Sequence, residues 1–256
     1  MDNYLAAVKL WQKFNIETEA DIDLRLHSFR ILFAYNSGKI ENAEITYHDT
    51  REIFENGRVV NFTGTPRAIF EQRNQKLCYD FLKPKLIFRE PITIELVKEV
   101  HAILTGGTYD ETRYIERGER PGEFKKHDYV TGIEEVGSLP EDVEKDMTEL
   151  IEALGEFAGK DALKLGTYFH VRFEYIHPFA DGNGRVGRTL LNYFLMTHGH
   201  PPIVIYDEDK REYYAALEQY DREQDFQAMY EFLQKETART WEKALEREQR
   251  RTKWEA

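Results

Sequence analysis

The chain predicts an all-α fold, on three observations. Apolar residues recur at helical spacing through nearly the whole length. Cap and stop signals fall at the ends of several of these runs. Strand-like patterning is confined to one short stretch. In order, helices are expected near residues 3–15, 20–36, 45–57, 66–83, 92–105, 140–158, 161–175, 186–199, 208–220 and 225–247. Asp21 offers a start for the second, because a short polar side chain can accept from an orphan helix N–H, and Thr65-Pro66 one for the fourth, because proline is pre-set for a first turn. Gly106-Gly107 and Gly159 offer stops. Two stretches interrupt the pattern. Residues 84–91, with Pro84 and Pro91, read as a connection between an N-terminal helical region and a core. Residues 121–133, with Tyr129, Val130 and Thr131 between glycines, read as a short β-hairpin.

The 256 residues suffice to bury a sizeable core, and 41% hydrophobic with 32% charged is ordinary for a globular chain. A net charge of −12 argues against a broad nucleic-acid surface, which needs clustered Lys and Arg. No apolar run approaches a membrane span, and Met1-Asp2-Asn3-Tyr4 lacks the basic and apolar regions of a signal peptide. Cys78 is the single cysteine, so no intrachain disulfide forms; its setting on a helix face makes it a buried structural thiol, and a cytoplasmic location is expected.

Residues 177–188, His-Pro-Phe-Ala-Asp-Gly-Asn-Gly-Arg-Val-Gly-Arg, carry the chemistry. Gly182 and Gly184 let backbone N–H groups converge on an anion, and Asn183 tolerates the left-handed turn such a nest needs. Val186, Leu190, Leu191, Phe194 and Leu195 then mark one apolar face, so the turn opens onto a helix N-terminus, which also favours an anion. Arg185 and Arg188 share a face of that helix. Asp-Gly and Asn-Gly are ordinary turn dipeptides, but nine fixed positions at this spacing arise by chance roughly once in 10^11 starts. A phosphate site beside a histidine base is the result.

This segment resembles the signature of Fic-domain proteins, with every fixed position present. The resemblance implies a Fic-type helical bundle and transfer of AMP from ATP to a Ser, Thr or Tyr hydroxyl of a protein, another or itself. It makes His177 the general base, Asp181 the Mg2+ ligand, Gly182, Asn183 and Gly184 the phosphate cradle, and Arg185 and Arg188 the groups on the β- and γ-phosphates. Phe179 packs beneath the loop and holds His177. The hairpin becomes a flap over the site, where Tyr129, Val130, Thr131 and Gly132, within about Lys125 to Gly132, pair with the target chain by strand addition. Tyr213 and Tyr214 resemble the tyrosine pair near the adenine, and Asp221 falls near the nucleoside.

Ser37-Gly38-Lys39-Ile40-Glu41-Asn42 resembles the family's inhibitory pattern, Ser/Thr-x-x-x-Glu-Gly/Asn, placed here N-terminal to the core. Ser37 and Glu41 lie one helical turn apart and face the same way. Gly38 costs such a helix about 1 kcal/mol relative to Ala. By the resemblance, Ser37, Glu41 and Asn42 form an inhibitory motif in which Glu41 pairs with Arg188 and takes the place of the γ-phosphate.

The organisation expected is residues 1–90 as a helical region carrying the motif at 37–42, 91–235 as the core and 236–256 as a charged, solvated C-terminal helix. His101 and His170 sit in apolar helical settings and read as hydrogen-bonded core residues, while His198 and His200 lack a further ligand for a metal site. The protein is expected to be an adenylyltransferase using ATP and Mg2+ on a protein target and restrained by Glu41. A deAMPylase in which Glu41 positions water and a non-catalytic nucleotide sensor are the alternatives. A homo-oligomer is compatible with the chain.

Overall fold

Helix follows helix through the computed structural model, which describes residues 2–60, 62, 64–130, 132–134, 136–156 and 161–255. The elements are α1 (Asp2–Gln12), α2 (Glu19–Arg25), α3 (His27–Glu41), α4 (Tyr47–Asn56), α5 (Pro66–Phe88), α6 (Ile94–Thr105), α7 (Val143–Glu156), α8 (Ala162–Ile176), α9 (Asn183–Thr197), α10 (Lys210–Glu223) and α11 (Gln227–Glu255). A π-helical turn at Thr112–Glu116 and a 3-10 turn at Asp207–Asp209 fall between them. Thr131 and the expected stop at Gly159 lie outside the described residues. Among the described residues no helix is long and apolar enough to cross a membrane.

Most boundaries follow from local chemistry. Thr46 caps α4 by accepting from the Asp49 N–H, and Gly57 closes it at φ 70°, where a side chain would be strained. Thr93 caps α6, and the Asp161 carboxylate accepts from Leu163 and Lys164 at the start of α8. The cap of α2 is Thr18 rather than Asp21, which sits three residues on and completes a reciprocal capping box. The run expected as one helix over 20–36 breaks at Leu26, which ends α2 and begins α3.

The expected connection at 84–91 is a correction: α5 continues through Pro84 to Phe88, and Arg89 ends it at φ 50°. Pro84 forgoes one helical hydrogen bond. Tertiary packing compensates, since Leu82 is buried and the Tyr193 hydroxyl donates to the carbonyls of Lys85 (3.3 Å) and Glu90 (2.6 Å).

The core centres on α9, nearly all of whose residues are buried, against α8 on one side and α6 and α5 on another. Val100, Leu104, Met147, Phe169, Phe173 and Phe179 fill the main cluster. A second cluster joins α8 and α9 to α10 and α11 through Val171, Leu195, Tyr213 and Leu233. In a third, Ala7 and Trp11 of α1 meet Trp241 of α11, so the charged C-terminal helix has one packed face and continues unbroken from Gln227.

Gly38 is explained by this packing. A Cβ there would lie 2.1 Å from Gln72 Nε2 and 2.8 Å from Ile45 Cδ1, so a side chain at this position would have to displace the ends of these two buried residues. Gly38→Ala is therefore expected to destabilise the fold by about 1–3 kcal/mol, as overpacked sites do, despite the gain of about 1 kcal/mol in helix propensity. Urea unfolding of the two proteins checks the sign.

The expected β-hairpin is the second correction. Among the described residues of 121–133 no strand forms. Its backbone donors are taken elsewhere: Lys125 N–H bonds the Pro178 carbonyl at 2.9 Å, and Lys126 N–H bonds the Glu119 carboxylate at 3.1 Å. Beyond it, Ser138 N–H bonds the Ile176 carbonyl at 2.9 Å. Through Lys125 and Ser138 the segment is laced to the loop between α8 and α9.

Candidate active site

The loop between α8 and α9 is built around two left-handed residues, His177 (φ 50°) and Gly182 (φ 81°). His177 terminates α8, with its N–H on the Phe173 carbonyl at 3.1 Å. Gly182 opens α9. A Cβ there would lie 2.6 Å from Thr105 Cγ2, so glycine is needed on two counts. Asn183 is not in the left-handed conformation expected for it. It is the first residue of α9, and its amide closes the loop instead, accepting from Phe179 N–H at 2.9 Å and donating to the Phe179 carbonyl at 2.8 Å.

Phe179 is fully buried beneath the loop and stacks on His101, with ring centroids 3.7 Å apart and planes 3° apart. His101 Nδ1 accepts from Gly122 N–H at 2.8 Å, which leaves Nε2 to donate to the Asp181 carbonyl at 3.0 Å. Burial pushes its pKa down to about 3, in keeping with this neutral tautomer. The core histidine therefore ties the site loop to α6. Burial, and after it the Lys125 ammonium, likewise pushes His177 down to about 4.

Asp181 and the two arginines are held by partners from the N-terminal half. Asp181 Oδ2 accepts from Arg67 of α5 at 2.7 Å, and Oδ1 accepts from Gly182 N–H at 2.7 Å. Burial raises the Asp181 carboxyl, but Arg185, Arg67 and Arg113 outweigh it and leave it below the usual carboxylate range. Glu71, fully buried on α5, lies 2.9 Å from Arg67 Nε and 3.3 Å from Arg185 Nη1, and accepts from Asn42 Nδ2 at 3.2 Å. Neither Arg67 nor Glu71 is marked by the motif.

Arg188 is the best-held cation of the site. Its Nε donates to Ser37 Oγ at 3.0 Å, and its Nη2 donates to the Ser37 carbonyl at 3.0 Å and to Glu41 Oε1 at 2.8 Å. Burial works against its charge, and the Glu41 carboxylate more than restores it. A Cβ on Gly184 would lie 2.4 Å from Glu41 Oε1 and 2.8 Å from Arg188 Nη1. The Glu41 carboxylate thus occupies the space over the first turn of α9, where an anion is favoured.

The tyrosine pair divides. Tyr213 is buried, with its hydroxyl 2.9 Å from His170 Nε2 and the Arg188 guanidinium 6.0 Å from its ring, so it supports the cation from beneath. Tyr214 is 37% exposed and keeps a face for a ligand. Asp221, lifted to about 6 by burial and then by Glu218, lies beside Gly132, where a Cβ would be 3.5 Å from its Oδ2. The Tyr129 carbonyl anchors the expected flap by accepting from Lys125 Nζ at 3.0 Å, and Val130 is exposed.

Glu174 is a further missed residue. It is half-buried one turn before His177 with its Oε1 out of solvent, burial lifts it to about 8, and it packs where a Cβ on Gly187 would come within 2.4 Å of that oxygen. Its sequence signal is slight: in Val171–Ile176 it is one of two charged residues, with Arg172, among apolar and aromatic ones. Cations therefore concentrate at this site on a chain whose net charge is −12. An oriented cradle, a neutral imidazole and buried guanidinium groups suit a reaction that displaces one phosphate oxygen by another.

Residues 91–195 match the Fic/DOC family. Protein adenylyltransferase Fic of Nematostella vectensis is 31% identical over 216 residues, covering 80% of this chain and 46% of the relative. Protein adenylyltransferase fic-1 of Caenorhabditis elegans is 29% identical over 195 residues, covering 73% of this chain and 35% of the relative. The chain thus spans less than half the length of these curated relatives. A Fic-domain-containing signalling protein of Bacteroides thetaiotaomicron has the same fold, with a TM-score of 0.81, 24% identity and 95% coverage of both chains. The crystallised part of C. elegans Fic-1 superposes with a TM-score of 0.77, 23% identity, and 99% of this chain and 73% of that one covered. With its signature intact at 177–188 on this helical scaffold, the chain carries a Fic/DOC family domain over residues 91–195.

Proposed function

We propose that the protein transfers AMP from ATP to a hydroxyl of a protein substrate, itself included, and that Glu41 restrains the reaction. The observation that carries this is the pairing of Glu41 with Arg188 over Gly184, which sets a carboxylate where the cradle would take a phosphate. The names of the adenylyltransferase relatives support the choice of transferred group.

In this reading ATP displaces Glu41, and Arg185 and Arg188 take the β- and γ-phosphates. The N–H groups at the start of α9 bind the α- and β-phosphate oxygens. Tyr214 lines the adenine side, with Tyr213 beneath Arg188. The target hydroxyl oxygen attacks the α-phosphorus, the bond from that phosphorus to the β-bridging oxygen breaks, and pyrophosphate departs. His177 takes the hydroxyl proton. The target main chain meets the protein along Tyr129, Val130, Thr131 and Gly132 in this reading, and the bonds of Lys125 to Pro178 and of Ser138 to Ile176 tie the flanking residues to the site loop.

Asp181 suits Mg2+ that arrives with the nucleotide. Among the described residues no cluster of three metal-ligating side chains would hold an ion alone, whereas Asp181 is kept ionised and partly open. It would exchange Arg67 for the ion, which supplies charge neutralisation on the phosphates. We place the reaction in the cytoplasm, where the lone thiol Cys78 stays reduced.

The test uses ATP labelled at the α or the γ position with the Glu41→Gly protein and its own lysate. Label on protein from α-labelled ATP alone is expected. Transfer from γ-labelled ATP would replace the reading with phosphate transfer, and neither would remove it.

The acid limb of the rate checks His177. Its folded pKa lies near 4, below the ordinary 6.5, so the imidazole stays neutral as pH falls to about 5, and base function is lost only as pH falls further. Bound polyphosphate, being anionic, moves that limb upward in the complex, so the free-enzyme profile of kcat/KM is the one to measure. Lys125→Met should shift the limb to higher pH by removing the nearby positive charge. A limb at 6.5 in both proteins would contradict this.

A further inference from the structure

We propose that Arg67 is a further nucleotide-binding residue, a guanidinium tethered to Glu71 that rests on Asp181 in the closed site and passes to the β-phosphate of ATP when Asp181 engages the metal. This role rests on the reading of the cradle given above, and it adds a third arginine to the two of the signature.

Arg67 is the second residue of α5, directly after Pro66, in a first turn without acidic residues. A cation at a helix N-terminus opposes the macrodipole, so α5 itself gains nothing from arginine here. The site accounts for it instead. The guanidinium spans two carboxylates, with Nε donating to Glu71 Oε1 at 2.9 Å and Nη2 to Asp181 Oδ2 at 2.7 Å.

The two bonds differ in how firmly the acceptor is held. Glu71 is 2% exposed, accepts from Asn42 Nδ2 at 3.2 Å and lies 3.3 Å from Arg185 Nη1, so its carboxylate is fixed on several sides. Asp181 is more open, at 19%, and the Arg67 side chain more open still, at 39%. The Nη end of Arg67 therefore has room to swing while Nε stays on Glu71. One fixed anchor and one exchangeable partner make a hinge.

Charge gives the hinge its use. Arg185 lies 3.3 Å from Glu71 and 3.7 Å from Asp181, so it cannot neutralise both carboxylates and also hold a phosphate. Arg113 is committed to Asp110. Arg67 is the cation that keeps Asp181 from repelling a triphosphate while no metal is present. Once Asp181 engages the metal, that charge is met in another way, and the Nη groups are released beside the phosphates that share the ion with Asp181. A guanidinium there stabilises the charge that grows on the departing pyrophosphate.

Calorimetric binding of α,β-methylene ATP, which cannot give up AMP, tests this in the Glu41→Gly chain, once in EDTA and once in Mg2+. Arg67→Met in that background should weaken binding about tenfold in Mg2+, where one charged contact is lost, and about 100-fold in EDTA, where Asp181 also faces the triphosphate bare. The metal should thus strengthen binding about ten times more in the variant than in its parent, whereas a merely structural role would lower both affinities together. AMP, which has no β-phosphate, should bind parent and variant alike in Mg2+. Arg67→Lys keeps the charge without the tether and should fall between the two in EDTA. Equal weakening in EDTA and Mg2+, no weakening in Mg2+, or an equal loss of AMP binding would overturn the role of Arg67 and leave the cradle standing. Failure of the Glu41→Gly parent itself to bind the analogue would overturn the reading of the cradle, and the role of Arg67 with it.

Discussion

Glu41→Gly is expected to raise the initial rate of α-label incorporation by about 100-fold over the wild type. The basis is the geometry at Arg188. Glu41 gives its guanidinium a charge-assisted bond of 2.8 Å and sets its carboxylate over Gly184, so closed protein and bound triphosphate exclude each other. Holding a two-state site about 99% closed takes about 2.7 kcal/mol. A charged hydrogen bond contributes about 1.5–3 kcal/mol, and here the cation is buried while Glu41 is about one-third exposed, which places the pair inside that range rather than above it. The bonds from Arg188 to Ser37 survive the substitution, so the arginine stays oriented for the nucleotide. Glu41→Gln keeps a hydrogen-bond acceptor and loses the charge, and should fall between the two. A rise of less than fivefold for Glu41→Gly, with nucleotide affinity unchanged, would mean that Glu41 is not the restraint.

What could be read from the sequence was what is local. The segment 177–188 keeps its anion cradle, loop and helix start within one short stretch of chain, and α9 begins where the glycines cluster. Ser37 and Glu41 share a face because they are four residues apart on α3. Contacts between distant segments left no local trace. Arg67 meets Asp181 across 114 positions, and Glu71, paired with Arg67 one turn away on α5, reaches Arg185 only because α5 packs against α9 and Asn42 only because it packs against α3. Pro84 misled for the same reason, since packing around Leu82 and Tyr193 outweighs one lost helical bond. The hairpin failed because a β pattern states which residues could pair and not whether their N–H groups are already taken, as those of Lys125 and Lys126 are. Asn183 shows the converse error: a residue that tolerates a left-handed turn was placed in one, while the turn falls on Gly182 and the asparagine amide ties the loop shut.

His177→Ala in the Glu41→Gly background should lower transfer by about 10^2 to 10^4, the usual contribution of a positioned general base. Backbone strain could produce a similar loss, because His177 sits at φ 50°, where alanine is disfavoured and asparagine is tolerated. His177→Asn should therefore fold as well as the parent and still lose transfer, since an amide cannot take the proton. Failure to bind nucleotide could also silence the enzyme. His177 ends α8, whereas the cradle is formed by the start of α9 with Arg185 and Arg188, so ATP should still raise the melting temperature of both variants. Packing of the loop should also persist, because Phe179 against His101 and the Asn183 bonds hold it without the imidazole. The expected pattern is intact ATP-dependent stabilisation, an unchanged fold and nearly absent labelling in both variants. If His177→Asn retained more than a tenth of the activity, the hydroxyl proton would have another acceptor, and the carboxyl of Glu174, one turn away and lifted to about 8, would be the next group to replace.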